Sequence, residues 1–320
     1  MKMPEKIAQT NGRRKMAMLK IGVMTAVLLE RLGPEETFRL LGKCGFDFVD
    51  FSCDALDGSL RNMEKKKNPL TGLFDRPFEE IRPLLAPYKE AAARCGVAFG
   101  QASAPYPLYW PGDAARNEYL SQTLEKCVQL CGELNCPRLT VHPAILEDPK
   151  EEWRVNMALF KRLVPALEEN GVVCCLENLV QPRRGKAYEA VCADPYEACD
   201  YIDELNDFAG GKRFAFCLDT GHALLSGRDI YSTIMKLGGR LEAVCIHDND
   251  GRTDQRLAPY MGVLDWDRFV RGLRDAEYAG GLCFETSGAL NRFDEELIPE
   301  ALRLTAATGR LFARRVAGEN

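Results

Sequence analysis

The chain has 320 residues, of which 46% are hydrophobic and 28% charged, and its formal net charge is −5. This composition is typical of a globular protein, and the length allows one large α/β barrel or two ordinary domains. The acidic balance argues against a protein that grips nucleic acid mainly by charge, because such binding requires a basic face.

The N-terminus and the cysteines bear on cellular location. Residues 1–17 are polar and basic and lack a signal peptide's apolar core, so we expect a flexible extension before one barrel domain at 18–320. No apolar run approaches the roughly 20 residues that span a membrane. The 13 cysteines are dispersed, several of them within apolar runs, which indicates reduced, buried thiols and a cytoplasmic protein.

Short apolar runs typical of buried strands alternate with helical patterns along the chain. Eight such runs begin near Leu19, Phe46, Ala98, Arg138, Val172, Phe214, Ala243 and Gly281. This alternation predicts an α/β protein with a single (β/α)8 barrel, the TIM-barrel fold. An open doubly wound sheet is disfavoured because no G-x-G-x-x-G turn follows the first run.

The clearest helix is predicted at 151–170, between the fourth and fifth runs. Apolar residues from Trp153 to Leu167 recur at steps of four and three, which places them on one helical face. Asp148 is placed to cap the start, Pro149 suits the first turn, and Gly171 suits the end.

Histidines and carboxylates follow the predicted strands. The three histidines of the chain, His142, His222 and His247, lie at or just beyond strand ends, and two more runs end in Glu177 and Glu285. A lone residue of this kind is more often structural, but that explanation would have to hold independently at five strand ends. Because barrels place their active residues at the carboxyl ends of strands, the pattern predicts a divalent metal site.

Four segments resemble one known family. They are 176–178 (L-E-N), 218–222 (L-D-T-G-H), 246–250 (I-H-D-N-D) and 284–285 (F-E), and the D-T-G-H and H-D-N-D segments are fairly specific. The chain resembles, over roughly residues 19–310, the xylose-isomerase-like barrel superfamily, and more narrowly its sugar phosphate isomerase/epimerase family.

The resemblance implies a metal-dependent activity. It implies that Glu177, Asp219, His247 and Glu285 bind one divalent ion, Mn²⁺ by preference, with Zn²⁺, Mg²⁺ or Co²⁺ as alternatives. In the epimerase branch two metal-bound glutamates double as acid and base, so Glu177 and Glu285 would exchange a proton with a sugar carbon through an enediolate. The expected activity is isomerisation or epimerisation of a sugar or sugar derivative, with phosphorylation of that sugar left open.

The resemblance also implies that His142 lines the substrate pocket and that His222 either faces the substrate or completes the metal shell. The superfamily includes apurinic-site endonucleases, which use three zinc ions, and this chain departs from their ligand set. Ser103 stands where a third-strand histidine is common, and Arg256 replaces the histidine of a D-x-H pair after the seventh strand. A guanidinium is a poor metal ligand and a good partner for hydroxyl, carboxylate or phosphate groups, so we expect Arg256 to bind substrate.

Alternative functions remain at this stage. They are a phosphodiester hydrolase acting at DNA lesions, a sugar lyase or dehydratase, and a barrel without catalysis. The net charge argues against the first and the retained ligands against the last. Arg183 and Arg184 are either a phosphate-binding pair or a surface pair. The expected partner is a small sugar, and a homo-oligomer is an assembly that the resemblance allows.

Aromatic residues near the strand ends have two interpretations. Tyr106, Tyr109 and Trp110 follow the third strand, and they either stack on a sugar face or pack at the barrel rim. Trp266, which follows a helix-capping Asp265, is expected to anchor the next helix.

Overall fold

Eight parallel strands close into a barrel in this computed structural model, which describes residues 17–56, 72–183 and 186–319. In chain order the strands are β1 (Ile21–Met24), β2 (Phe48–Ser52), β3 (Ala98–Ser103), β4 (Arg138–Val141), β5 (Val173–Glu177), β6 (Val180–Arg183), β7 (Lys186–Glu189), β8 (Phe214–Asp219), β9 (Leu241–Ile246) and β10 (Leu282–Phe284). Strands β6 and β7 form a separate antiparallel hairpin, and the other eight follow one another around the barrel in chain order. The predicted barrel is confirmed, and each strand begins within two residues of its predicted start.

Helices connect the strands and cover the barrel. They are α1 (Ala26–Cys44), α2 (Phe78–Ile81), α3 (Ala86–Cys95), α4 (Ala114–Glu133), α5 (Pro149–Asn170), α6 (Pro195–Ala209), α7 (Thr220–Leu225), α8 (Ile230–Leu237), α9 (Trp266–Asp275), α10 (Ser287–Leu290) and α11 (Ile298–Val316). None of the described helices is long and apolar enough to cross a lipid bilayer.

Helix α5 has the capping residues that its sequence predicts at both ends. The Asp148 carboxylate accepts a hydrogen bond from the Lys150 amide at 3.0 Å, which satisfies one of the free N–H groups of the first turn. Gly171 closes the helix with φ of 64°, a left-handed conformation that glycine adopts without strain. Phe160 and Leu167 on the predicted apolar face are fully buried.

Phe48 closes the amino-terminal end of the barrel. Its ring lies so close to three glycines that a Cβ at Gly22, Gly100 or Gly281 would come within 2.2, 2.5 and 2.5 Å of it, respectively. These distances are far below van der Waals contact, so each of the three positions requires glycine while Phe48 keeps its place.

Small side chains fill the middle of the barrel, where Cys175, Ala215, Cys217, Ala243 and Cys245 form one buried cluster. All 13 cysteines, each within the described ranges, are free thiols, and Cys95 is the one that is not buried. The predicted burial is confirmed for 12 of the 13 cysteines. Residues 1–16 of the predicted N-terminal extension lie outside the described ranges.

Candidate active site

Four neighbouring strands, β5, β8, β9 and β10, bring the predicted metal ligands to one end of the barrel. Glu177 and Asp219 are the last residues of β5 and β8, whereas His247 and Glu285 directly follow β9 and β10. None of the four is more than 4% exposed. Buried carboxylates are costly unless they are paired, so their partners determine what this end of the barrel can do.

Asp219 and His247 form a direct pair. The His247 Nε2 atom lies 2.9 Å from the Asp219 carboxylate, and the His247 backbone amide donates to the Thr220 hydroxyl at 3.0 Å. A Cβ at Gly221 would lie 1.9 Å from the His247 ring, so the D-T-G-H segment needs glycine here for the imidazole to fit. Burial would raise the pKa of Asp219, but its contacts with His222 and His247 outweigh that effect and lower it.

Glu177 lies between two histidines. Its Oε1 atom is 3.1 Å from His142 Nε2 and 3.6 Å from His222 Nδ1. The neighbouring Asn178 side chain bonds both backbone groups of Asp219, at 2.8 and 2.9 Å, which ties the end of β5 to the end of β8.

His222 is surrounded by negative charge. Its Nδ1 donates to the Asn178 carbonyl at 2.9 Å, and its Nε2 lies 3.7 Å from Asp254. Burial alone would lower the pKa of His222, but the Asp219, Asp254 and Glu177 carboxylates raise it to about 9. A protonated imidazole in this position can donate to a substrate oxygen.

Arg256 connects the remaining carboxylates. Its guanidinium bonds Glu285 through one terminal nitrogen and Asp254 through Nε at 3.2 Å. Asp254 in turn lies 3.9 Å from His247 Nδ1. Burial opposes ionisation of Asp254, yet the neighbouring His222 and Arg256 lower the pKa of this carboxyl to about 2. Arg256 therefore lies inside the site, where it was predicted to contact substrate.

The donor set fits a divalent cation. The ligand atoms of Asp219, His222 and His247 lie within 4.8 Å of one another. His247 Nδ1 is buried and has no hydrogen-bond partner among the described residues, although a buried polar atom ordinarily has one. Because Asp219 accepts the Nε2 proton, the Nδ1 lone pair is free for a cation, and imidazole with carboxylates suits several divalent ions.

Asp50, a fully buried carboxyl in the interior of β2, was not predicted from the sequence as a site residue. Its oxygens accept hydrogen bonds from Gln101 Nε2 at 2.7 Å and from Ser103 Oγ at 2.8 Å. Burial outweighs these bonds and raises the pKa of Asp50 to about 6. The signal in the sequence is a single aspartate flanked by Phe48-Val49 and Phe51, which is an unlikely place for a charge without a partner. Ser103, predicted as the position of a lost ligand, is thus a partner of Asp50.

The structure divides the aromatic residues after β3. The Tyr106 ring packs edge-on against His142 at 5.6 Å between centroids, which places it beside the site. Trp110 instead lies under the Arg116 guanidinium, 4.2 Å from its ring centre, and its backbone bonds the Asn117 side chain. Trp110 therefore packs at the rim.

Trp266 is the first residue of α9 and anchors this helix, in line with its prediction. Its indole N–H donates to Asp248 at 3.0 Å, and its ring stacks on Phe312 at 5.4 Å. Asp248 also accepts from the Leu264 amide, so this carboxylate organises the loop. Arg184, of the pair expected to be either phosphate-binding or on the surface, lies outside the described residues, as does the Arg183 side chain.

A cavity of about 720 Å³ opens at the amino-terminal end of the barrel, opposite the candidate active site. It is lined by Phe48, Arg138, Glu242 and Tyr278, and none of the three histidines borders it. Arg138 pairs with Glu242 there at 2.9 Å. This ion pair engages both charged groups at the floor of the barrel, and the histidines lie at the other end, so the candidate active site remains at the carboxyl ends.

Comparison with known proteins places the chain in a family. Residues 38–308 match a model described as the xylose isomerase-like TIM barrel. The uncharacterized protein y4fM of Sinorhizobium fredii (strain NBRC 101917 / NGR234) is 28% identical over 172 residues, which are 52% of each chain. The chain thus spans about half the length of this curated relative.

Solved structures share the fold over nearly the whole chain. The 3-keto-D-glucoside 4-epimerase YcjR from E. coli matches with a TM-score of 0.66 at 19% identity, covering 92% of this chain and 99% of that one. D-psicose 3-epimerase with D-tagatose from Clostridium cellulolyticum H10 gives 0.68 at 15%, covering 92% and 99%. The IolI protein with a bound zinc atom gives 0.64 at 15%, covering 94% and 98%. At such identities the similarity establishes the fold.

Proposed function

The chain belongs to the xylose isomerase-like TIM barrel family, and from that membership we propose that it is a divalent-metal-dependent isomerase or epimerase of a sugar or sugar derivative. The observation that carries this proposal is a continuous path of polar contacts between the two proposed catalytic glutamates. The path runs through Glu177, His222, Asp219, His247, Asp254, Arg256 and Glu285.

The proposed metal ligands are Glu177, Asp219, His247 and Glu285, one from each of four adjacent strands. The free Nδ1 lone pair of His247 and the buried carboxylates support this assignment. When bound, one divalent ion, Mn²⁺ by preference, would withdraw electron density from the substrate carbonyl and so acidify the neighbouring C–H. The zinc atom in the structurally similar IolI protein supports a metal in this fold.

Proton transfer is proposed for Glu177 and Glu285. One carboxylate removes the proton from the carbon next to the carbonyl, which leaves an enediolate, and the other returns a proton from the opposite side. Return to the same carbon inverts it, and return to the neighbouring carbon moves the carbonyl. The contact of Glu177 with His142 holds its carboxylate in place for this role.

Substrate binding is proposed for His142, His222 and Arg256. The His142 side chain is 31% exposed beside the buried Glu177, so the pocket opens to solvent at this point. The protonated His222 and the guanidinium of Arg256 supply donors for hydroxyl groups or for a phosphate. The epimerases named above act on ketoses or keto-sugars, which agrees with an α-proton as the reacting group.

The test combines metal analysis with proton exchange. Protein purified without chelator is assayed for metal content and then incubated in D₂O with Mn²⁺ and a panel of ketoses and keto-sugars, free and phosphorylated. We expect about one Mn²⁺ ion per chain and deuterium at the carbon next to the carbonyl. Glu177→Gln and Glu285→Gln should each reduce product formation by at least about 10²-fold, whereas Glu300→Gln, an exposed glutamate of α11, should not.

Each alternative function gives a different result. Full activity of Glu177→Gln would refute the two-glutamate mechanism. Two or three zinc ions per chain with cleavage of abasic DNA would identify a phosphodiester hydrolase, and an unsaturated product without retained deuterium would identify a lyase.

A further inference from the structure

A cysteine lies two residues before each of the four proposed metal ligands. The pairs are Cys175 with Glu177, Cys217 with Asp219, Cys245 with His247, and Cys283 with Glu285. Because side chains two apart on a strand point to the same face, these thiols lie one level deeper in the barrel, beneath the ligands. All four are buried.

The two central thiols are close together and close to Glu177. The Cys217 and Cys245 sulfurs are 3.6 Å apart, and Cys245 Sγ lies 3.7 Å from Glu177 Oε2. Ligand atoms of all three residues fall within 4.8 Å of one another. Glu177 therefore presents Oε1 to the histidines above and Oε2 to the thiols below.

These separations match the distances between ligand atoms around a tetrahedrally coordinated soft metal ion. With Zn–S of about 2.3 Å and Zn–O of about 2.1 Å, tetrahedral angles place two sulfurs about 3.8 Å apart and a sulfur and an oxygen about 3.6 Å apart. The observed separations, 3.6 and 3.7 Å, are within 0.2 Å of these values. We propose that Cys217, Cys245 and Glu177 form a second cation site, selective for soft divalent ions such as Zn²⁺ or Cd²⁺, directly beneath the catalytic site.

Neighbouring groups complete this thiol site. Gln101 Nε2 lies 3.5 Å from Cys245 Sγ and donates toward it. The buried Thr140 hydroxyl lies beside the Cys217 thiol and offers an oxygen as a fourth ligand. On binding, the ion forms two metal–sulfur bonds and two metal–oxygen bonds, the latter to Glu177 and Thr140, and one proton leaves each thiol for solvent.

The proposal goes beyond the proposed function and does not require sugar turnover. Since Glu177 has one carboxylate oxygen facing each site, a soft ion below competes with the catalytic ion above for this residue. The thiol site therefore makes the protein sensitive to soft cations in a way that a site of oxygen and nitrogen ligands alone is not.

Cadmium absorption tests the thiol site. Cd²⁺ is titrated into Cys95→Ser protein, which lacks the half-exposed cysteine, and the ultraviolet cadmium–thiolate charge-transfer band is recorded. We expect a band equivalent to two thiolates per chain, no band with Mg²⁺, and loss of the band in Cys217→Ser and Cys245→Ser. Cys131→Ser is the matched control, because Cys131 is also fully buried beside another thiol, that of Cys136, and it should keep the band.

Absence of the band in folded Cys95→Ser protein, or its persistence in Cys217→Ser, overturns the proposal. If the serine variants do not fold, as judged by circular dichroism, X-ray absorption at the cadmium edge of the Cys95→Ser protein decides. Two sulfur neighbours support the thiol site, and a shell of oxygen and nitrogen alone refutes it. Cadmium bound only in the catalytic site has oxygen and nitrogen neighbours and no sulfur. This result would refute the thiol site without bearing on the sugar assay.

Discussion

Two nearby aspartates in this barrel have pKa values that are shifted in opposite directions. Asp47 and Asp50 are three positions apart, yet their surroundings act in opposite directions. Burial alone would raise the pKa of Asp47, but Arg310 and the Ile21 amide lower it. Asp50 has no cation within bonding distance among the described residues, and burial raises its pKa to about 6.

Replacement of Asp50 tests this difference. A folded-state pKa near 6 against an ordinary 3.8 means that the folded protein binds this proton more tightly than the unfolded chain does. Stability is therefore lost as pH rises from about 4 through 6, by about 3 kcal/mol in total. Asp50→Asn should remove this loss, so its unfolding free energy relative to wild type should rise between pH 4 and pH 7, measured by urea unfolding.

Asp47→Asn serves as the control with the opposite sign. Because the folded-state pKa of Asp47 is lowered, its contribution is present above the ordinary pKa and is lost as pH falls. The relative stability of Asp47→Asn should therefore decrease toward neutral pH. Parallel pH profiles for the two variants would contradict both assignments.

The sequence predicts site residues that end an apolar run and misses those inside one. Glu177 and Asp219 stand out because a charged residue directly follows buried positions at a strand's carboxyl end. Asp50 lies inside a run, and its partners Gln101 and Ser103 come from another strand, about 50 residues away. Only the register of β2 against β3 brings them together, and a single sequence does not contain that information.

At the scale of elements, the approach of α7 to the end of β9 depends on one glycine. Gly221→Ala would place a methyl group inside the His247 ring, so the helix or the imidazole must move. Such overpacking costs about 1–3 kcal/mol. We expect a corresponding loss of stability in thermal unfolding and weaker Mn²⁺ binding by calorimetry.

Gly239→Ala is the matched control for this prediction. A Cβ at Gly239 meets no atom within 4 Å, and the residue has no left-handed φ, so its substitution should leave stability and metal binding near wild type. Equal effects of the two substitutions would show that the contact with His247 is not the reason why Gly221→Ala lowers stability and metal binding.

Elements with clear patterns were predictable, and the hairpin was not. The barrel strands are apolar runs and α5 has both caps, so local chemistry alone sets their positions. Strands β6 and β7 contain Pro182, Arg183 and Lys186 and lack an apolar run. Their antiparallel register pairs two polar segments, and hydrophobic periodicity does not report such a pairing.

At the scale of the whole molecule, metal binding should stabilise the fold. An ion that binds only the folded chain adds about 2.7 kcal/mol at a concentration 100 times its dissociation constant. We expect Mn²⁺ to raise the melting temperature of chelator-treated protein by several degrees and His247→Ala to abolish this rise. An equal rise in His247→Ala would exclude His247 as a ligand.

The packing of Phe48 against Gly22, Gly100 and Gly281 restricts how this barrel can diverge. A side chain at any of the three glycines is compatible only with a smaller residue at position 48, so what is tolerated at each glycine depends on the residue at position 48. Replacing a glycine is harmful while Phe48 is present. It becomes acceptable when position 48 has first changed to a smaller residue. Once a larger residue replaces one of these glycines, a single substitution at position 48 can no longer restore phenylalanine.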